Sequence, residues 1–450
     1  MRRPVWLMLL SIALGVLLNP LNSSMISVAI ARFQHVFHLG FGTVSWLIST
    51  YYLASAIAQP MMGRLADLLG HKRMFLIGLG LVALSSVTAP FSPSFAWLIV
   101  FRLIQAVGSS VLYPAGMAMV RHHVQEGQAK ALAFLAVFSS GAAAFGPTIG
   151  GVLLHWRDWP AIFTVNIPII AIAFVLALWV LPRDRTTGFH LGQVLRSLDF
   201  PGIFLFAVAI LGLLMFLLSL NGRLNLYAGM IGVLAAAGFV WRELKAEPPF
   251  IRIRLFAQNK VFLWVHIQFV VVNIIFYSFF FGMPTYLQEV RGFDAQQTGL
   301  LMLCLAGISV LVAPLTGRWV DRAGSRPGLL LSGVLMTCGA LGMTTFHQTS
   351  PLVVLVIVLL ILGVSNGLNN VGMQAALFAS APKEIIGAAS GLFMTARYMG
   401  TIISSVLLGM VFAPTLTTGR LRVLAGILAL CAAFVIWMSW RLPKGRAEVE

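Results

Sequence analysis

Arg102, Gln105, Ser109 and Tyr113 recur at intervals of three and four residues, which places a guanidinium, an amide and two hydroxyls on one stripe of a helix. Such a set recognises and orients a ligand; it holds no nucleophile paired with a base. Asn22 follows the helix breakers Asn19 and Pro20, and an interrupted helix with free carbonyls points to a binding site. Further polar faces are Asn366, Asn369, Asn370 and Gln374; His266, Asn273 and Tyr277; Arg397 and Tyr398; and Tyr52 with Gln59. These amides either line a cavity or hold helices together. His266 can titrate near neutrality, or sit hydrogen-bonded as a structural ring. Arg102 is a cation where charge is costly, so it faces a partner or a wet cavity, or else bonds backbone carbonyls.

The elements that position these groups are membrane helices. Of 450 residues, 59% are hydrophobic and 10% charged, with a mean hydropathy of +0.93, far from a water-soluble composition. Apolar runs long enough to cross a bilayer lie near 5–31, 43–65, 74–91, 96–120, 129–154, 159–181, 200–220, 225–241, 261–287, 296–319, 327–346, 351–377, 385–412 and 422–440, which predicts fourteen spans. A signal peptide is the other reading of the start, but the first run is too long for one and carries polar motif residues, so it reads as a retained helix. The net charge of +17 does not point to nucleic acid, because the basic residues punctuate the gaps between spans. Only Arg32, Arg157, Arg223, Arg291, Arg420 and Arg422 fall on the side opposite the termini; most of the rest, among them Arg2, Arg3, Arg185, Arg196, Arg252, Lys444 and Arg446, fall on the terminal side. The excess places both termini in the cytoplasm. Cys304, Cys338 and Cys431 lie in apolar runs and read as small hydrophobes.

Charged loops reveal a repeat. Gly63, Arg64, Asp67 and Gly70 close the second span as G-R-x-x-D-x-x-G, with Lys72 and Arg73 following, and Gly317, Arg318, Asp321 and Gly324 repeat the pattern after the tenth. The expected device is a latch: glycine for close helix approach, aspartate pairing with arginines across the seam between halves, and a second glycine for the turn. The distance between copies exceeds six spans by two. That predicts a six-helix bundle over 1–182, two inserted helices with a linker over 183–260, a second six-helix bundle over 261–441, and a tail over 442–450, with the site at the interface of the repeats.

The repeated loop, Phe101 to Gly108, Gly146-Pro147-Thr148-Ile149-Gly150-Gly151, Trp156-Arg157 through Asn166-Ile167-Pro168, Leu198-Asp199-Phe200 and Pro249 to Phe256 together resemble the fourteen-span drug:proton antiporter branch of the major facilitator superfamily. The resemblance implies an all-α polytopic carrier of small molecules in a bacterial-type plasma membrane, with Gly146, Pro147, Gly150 and Gly151 as its antiporter signature. Read from the residues, that signature thins a helix for close packing and permits a bend. Leu21 to Ala31 is similar to the branch pattern L-D-x-T-I-V-N-V-A-L-P, with Asn22 where the pattern has aspartate. An amide cannot take up and release a proton near neutrality, and none of the thirteen acidic residues lies in mid-span; Asp199 and Glu289 come nearest to span ends.

The expected protein is therefore a secondary transporter, not an enzyme: an exporter of amphipathic, neutral or anionic molecules working by alternating access. Export or flipping of an anionic metabolite or lipid without the usual proton coupling is the second reading, and a non-transporting receptor or scaffold the third. The partners are a small-molecule substrate, the bilayer, and protons or another coupling ion, with no nucleic acid and the chain acting as a monomer. No cofactor or metal is expected, and the sequence has no G-x-x-x-x-G-K-[ST] loop for a nucleotide-driven pump.

Overall fold

The structure, a computed structural model, describes residues 5–39, 41–184, 199–219, 224–247, 249, 251, 253–293, 295–412 and 417–443. Arg2, Arg3, Arg185, Arg196, Arg223, Arg252, Lys444 and Arg446 lie outside the described residues, as do Asp294, Glu448 and Glu450, much of the predicted linker and most of the tail. The described residues form helices and no strands.

A helix occupies each of the fourteen predicted segments. The first is covered by α1 (Val5–Val16) and α2 (Leu18–Phe37), followed by α3 (Phe41–Leu69), α4 (His71–Thr88), α5 (Phe95–His123) and α6 (Gln128–Arg157). A short α7 (Pro160–Thr164) and α8 (Asn166–Val180) cover the sixth, α9 (Phe200–Ser219) and α10 (Leu226–Lys245) the next two. After a six-residue α11 (Ile253–Gln258) come α12 (Lys260–Glu289), α13 (Ala295–Ala323), α14 (Ser325–Thr344), α15 (Leu352–Ser380), α16 (Ile386–Phe412) and α17 (Thr418–Arg441). Among the described residues eleven helical segments are long and apolar enough to cross a membrane, or twelve with the bent α6 counted as one. The two others are α3, a more polar run that carries Asp67 in its last turn, and α10, with Arg242, Glu243 and Lys245 at its end.

The helices form two compact units. One comprises residues 1–198 and 381–395, the other 199–380 and 396–450, so α16 belongs to both. In the first unit Met25, Phe33, Leu98 and Phe163 are buried in one apolar cluster. In the second, Phe279, Tyr286, Phe346, Leu359 and Leu428 form another. Buried apolar side chains do not drive helices together in lipid as they do in water, so close contact depends on small residues and hydrogen bonds. The α9–α10 hairpin illustrates this: a Cβ on Gly212 would lie 2.7 Å from the Cα of Gly232. Asp199 closes the other end, accepting from the Gly202 N–H at 3.2 Å and from Arg242 Nε at 3.1 Å.

α6 bends by 48° between Gln128–Ala143 and Thr148–Arg157. Gly146 and Pro147 fall at the break, where proline withholds the amide hydrogen that would continue the ladder. Of the signature glycines, Gly146 backs onto Ser24 of α2, whose hydroxyl also donates to the Ala142 carbonyl at 3.3 Å. Gly150 is buried, whereas Gly151 is exposed with open space beside it. The expected three-glycine packing stripe is thus corrected: a Cβ on Gly151 would meet nothing within 4 Å among the described residues.

Candidate functional site

A buried polar cluster in the first unit gathers residues from four elements. Arg102 on α5 is 1% exposed, the largest side chain among those fully buried. Its Nη1 donates to Gln105 Oε1 at 2.5 Å, one turn along. Gln105 Nε2 donates to Asn22 Oδ1 on α2 at 3.2 Å, and Asn166 Nδ2, at the start of α8, donates to the same oxygen at 2.7 Å. Asn22 Nδ2 donates to the Leu18 carbonyl at 2.7 Å. The guanidinium carbon lies 4.2 Å from the centre of the Tyr51 ring of α3, a cation–π contact. The Tyr51 hydroxyl meets Ser109 Oγ at 2.9 Å, and Asn19 Nδ2 donates to that oxygen at 3.2 Å.

This geometry revises the reading of the first helix. Leu17 N–H still donates to Ala13 and Leu21 N–H to Leu17, so the chain passes Asn19 and Pro20 with one irregular turn. The Leu18 and Pro20 carbonyls are taken by Asn22, Ser23 and Ser24. What the interruption exposes is side chains rather than carbonyls.

The partners that Arg102 meets among the described residues, Gln105 and Tyr51, are neutral. Among the described residues the ion pairs are Arg32–Asp158, His71–Asp67 and Arg242–Asp199, and Arg102 Nε finds no hydrogen-bond partner. A buried ion without a counter-charge costs several kcal/mol. Such an arrangement has the charge to receive an anion.

The remaining candidates separate. Tyr113 is partly buried further along α5. In the second unit, His266 donates from Nδ1 to the Phe262 carbonyl at 2.8 Å and lies between the Phe256 and Phe262 rings, while Asn273 donates back to Phe269 at 2.7 Å. Both serve their own helix. Asn366 donates to Ser309 of α13 at 2.9 Å and Asn369 reaches Ser332 of α14, so part of the predicted amide face is interhelical glue. Asn370, half-buried, makes no side-chain hydrogen bond among the described residues. Arg397 Nε donates to the Tyr277 hydroxyl at 3.0 Å.

The first loop motif is built around Asp67. Its side chain, 5% exposed, accepts from the N–H groups of Gly387 at 3.2 Å and Ala388 at 3.0 Å, in the first turn of α16, and lies 3.1 Å from His71 Nε2. The expected arginine partner is replaced by a helix terminus, whose unpaired donors and positive dipole suit a carboxylate. Gly63 allows the approach, since a Cβ there would run into the Gly387 carbonyl. Gly70 has φ 102°, and Asp184 fills the space beside it, accepting from the N–H groups of Lys72 at 3.0 Å and Arg73 at 2.9 Å. Lys72 Nζ closes the end of α8 through the carbonyls of Leu178 and Leu181. In the second copy Gly324 repeats the turn with φ 77°, Gly317 is buried, Arg318 exposed and Asp321 partly buried.

The site residues absent from the expectations are Tyr51, Asn166 and Asp184. Asn166 and Tyr51 reach the network from elements far along the chain, and no periodicity connects them to Arg102. Asp184 follows α8 and caps the N-terminus of α4 from 112 residues along the chain, so no local pattern marks it.

Compared with known families, residues 12–405 match the Major Facilitator Superfamily. The chain belongs to that superfamily. Membership makes it a multi-pass membrane transporter and not an enzyme. Among superfamily relatives, it is 46% identical to the uncharacterized MFS-type transporter YwoD of Bacillus subtilis (strain 168), over 96% of each chain. It is 29% identical to the tetracenomycin C resistance and export protein of Streptomyces glaucescens, over 91% of this chain and 76% of that one. The proton:xylose symporter XylE shares the fold with a TM-score of 0.68 at 13% identity, over 98% and 96% of the two chains.

Proposed function

We propose that the chain is a secondary carrier of fourteen spans that exports amphipathic small molecules, neutral or anionic, by alternating access, with both termini in the cytoplasm. The observation that carries this reading is the buried Arg102–Gln105–Asn22–Asn166 network, a polar site with a cation and no acid. A scaffold gains nothing from such a costly centre. The export direction rests on the likeness to the tetracenomycin C export protein and on the glycine–proline signature at the α6 bend. The architecture is six helices, two inserted helices and six more, with α3 and α10 completing the count. Arg64, Asp67 and Gly70, with Lys72 and Arg73, act with Gly317, Arg318, Asp321 and Gly324 as the conformational latch. The cation at Arg102 makes anionic metabolites the second substrate class.

Because Asn22 holds no titratable proton, the carrier does not run on a pH gradient through this position. The test is flux in proteoliposomes of the purified full chain, loaded with an amphipathic dye, with and without an imposed pH gradient. The wild type is expected to move dye, Arg102→Ala to lose most of the flux while keeping its elution profile, and a pH gradient alone to leave dye unconcentrated. Concentration by a pH gradient alone would refute the coupling reading and turn attention to His266 or Glu289. Full flux in Arg102→Ala would reduce the arginine to a structural role.

A further inference from the structure

Charge balance in the α2–α3–α5–α8 cluster carries the transport reading one step further. Arg102 is 1% exposed and Asn22 likewise, and the elements around the guanidinium supply Asn19, Asn22, Tyr51, Gln105, Ser109 and Asn166, every one neutral. Asn22 Oδ1 already accepts two amide donors, from Gln105 and Asn166. The network thus turns Gln105 Oε1 toward Arg102 and leaves Nε without a partner. One formal positive charge stands in low dielectric beside dipoles and a ring face, and among the described residues no ion pair reaches it. A monoanion brought to Arg102 supplies what the protein withholds, and a planar carboxylate matches the guanidinium fork.

We propose that Arg102 binds the single anionic group of the substrate, a carboxylate on an amphipathic body, and that the carrier moves this anion alone and is driven by the membrane potential. Energetics follow from the charge. A cell interior is electrically negative, so a carrier that takes one negative charge outward runs downhill without a proton. For one charge, each tenfold of concentration ratio corresponds to about 59 mV. This inference rests on the transport reading, and it accounts for a centre that holds a cation without an acid.

Its test uses the purified full chain in liposomes with equal pH on both sides and a potassium gradient with valinomycin, set to make the interior positive. The probes are a panel of amphipathic aromatic carboxylates, each beside its own amide. Uptake of a carboxylate against its gradient, tenfold for each 59 mV or so, with its amide unresponsive to potential, is the expected result. Asn22→Asp supplies an internal counter-charge to Arg102 and is expected to abolish potential-driven uptake and to weaken carboxylate binding, read as a thermal shift in detergent, at least tenfold. Arg102→Lys keeps the charge and retains potential dependence at lower affinity, which covers the case in which Asn22→Asp fails to fold. Carboxylate flux indifferent to potential, equal carboxylate binding in Asn22→Asp, or no carboxylate moved at all overturns the inference. Movement of the amides alone would overturn it while leaving the transport reading standing; movement of neither would remove both.

Discussion

Tyr51 presents its ring face to Arg102 and spends its hydroxyl on Ser109, so its two contributions can be separated. Tyr51→Phe keeps the ring and is expected to cost about 1 kcal/mol, the net worth of one hydrogen bond. Tyr51→Leu removes the ring as well and is expected to cost about 2 kcal/mol more, because the cation is desolvated. Thermal unfolding in detergent checks the ordering, and a Phe variant as weak as the Leu variant would contradict it. A second residue-scale prediction concerns Asp158, which has φ 63° and takes Arg32 Nε at 2.7 Å as well as the Trp159 N–H. The Arg32 hydrogen bond holds the Asp158 carboxyl below its ordinary value. A carboxyl depressed in the folded state stabilises above the unfolded value near about 3.9 and loses that contribution as pH falls through the folded value. The stability difference between wild type and Asp158→Asn is therefore expected to be constant near neutrality and to shrink only in acid; a difference that grew on acidification would refute the pairing. Legibility differed sharply among these groups. Helical spacing revealed Arg102, Gln105 and Ser109, and local pattern revealed Asn22, but Tyr51 and Asn166 are brought in by tertiary packing, which leaves no periodic trace.

At the scale of elements, close approach is the recurring device. Gly63 lies against the Gly387 carbonyl and Gly391 against that of Gln59, so α3 and the start of α16 meet backbone to backbone. Gly63→Ala is expected to destabilise by about 1–3 kcal/mol, as overpacking does. Gly80→Ala on α4, where a Cβ meets nothing within 4 Å, is expected to be neutral or to stabilise by up to about 1 kcal/mol through helix propensity. Unfolding temperatures of the two variants side by side decide the matter. The glycines of the loop were legible because a positive φ and a close approach demand that residue type. The partner of Asp67 was not, because a helix N-terminus recruits a carboxylate through backbone N–H groups that any sequence could supply.

For the molecule as a whole, the helices were legible because a chain crossing the bilayer must satisfy its backbone groups internally, which long apolar helical runs do. The count of crossings depends on α3, whose run is diluted by Ser49, Thr50, Tyr51, Tyr52, Ser55 and Gln59, and on α10, whose charged last turn lowers its hydropathy. If α3 crosses, single cysteines at His38 and Ser92, which bracket α3 and α4, are labelled by an impermeant maleimide from the same side of the membrane, and if α10 crosses, cysteines at Asn225 and Glu247 are labelled from opposite sides. Labelling of His38 and Ser92 from opposite sides would remove α3 from the count, and labelling of Asn225 and Glu247 from one side would remove α10.

The hydrogen bonds around Asn22 also have a genetic consequence. Both donors to its Oδ1, from Gln105 and Asn166, would serve a carboxylate equally well, and only the bond to the Leu18 carbonyl would be lost on replacement by aspartate. Asparagine and aspartate codons differ by a single base. A pocket already shaped for the acid therefore stands one point mutation from it, and lineages selected on proton-driven or potential-driven export could exchange the two without remodelling the site.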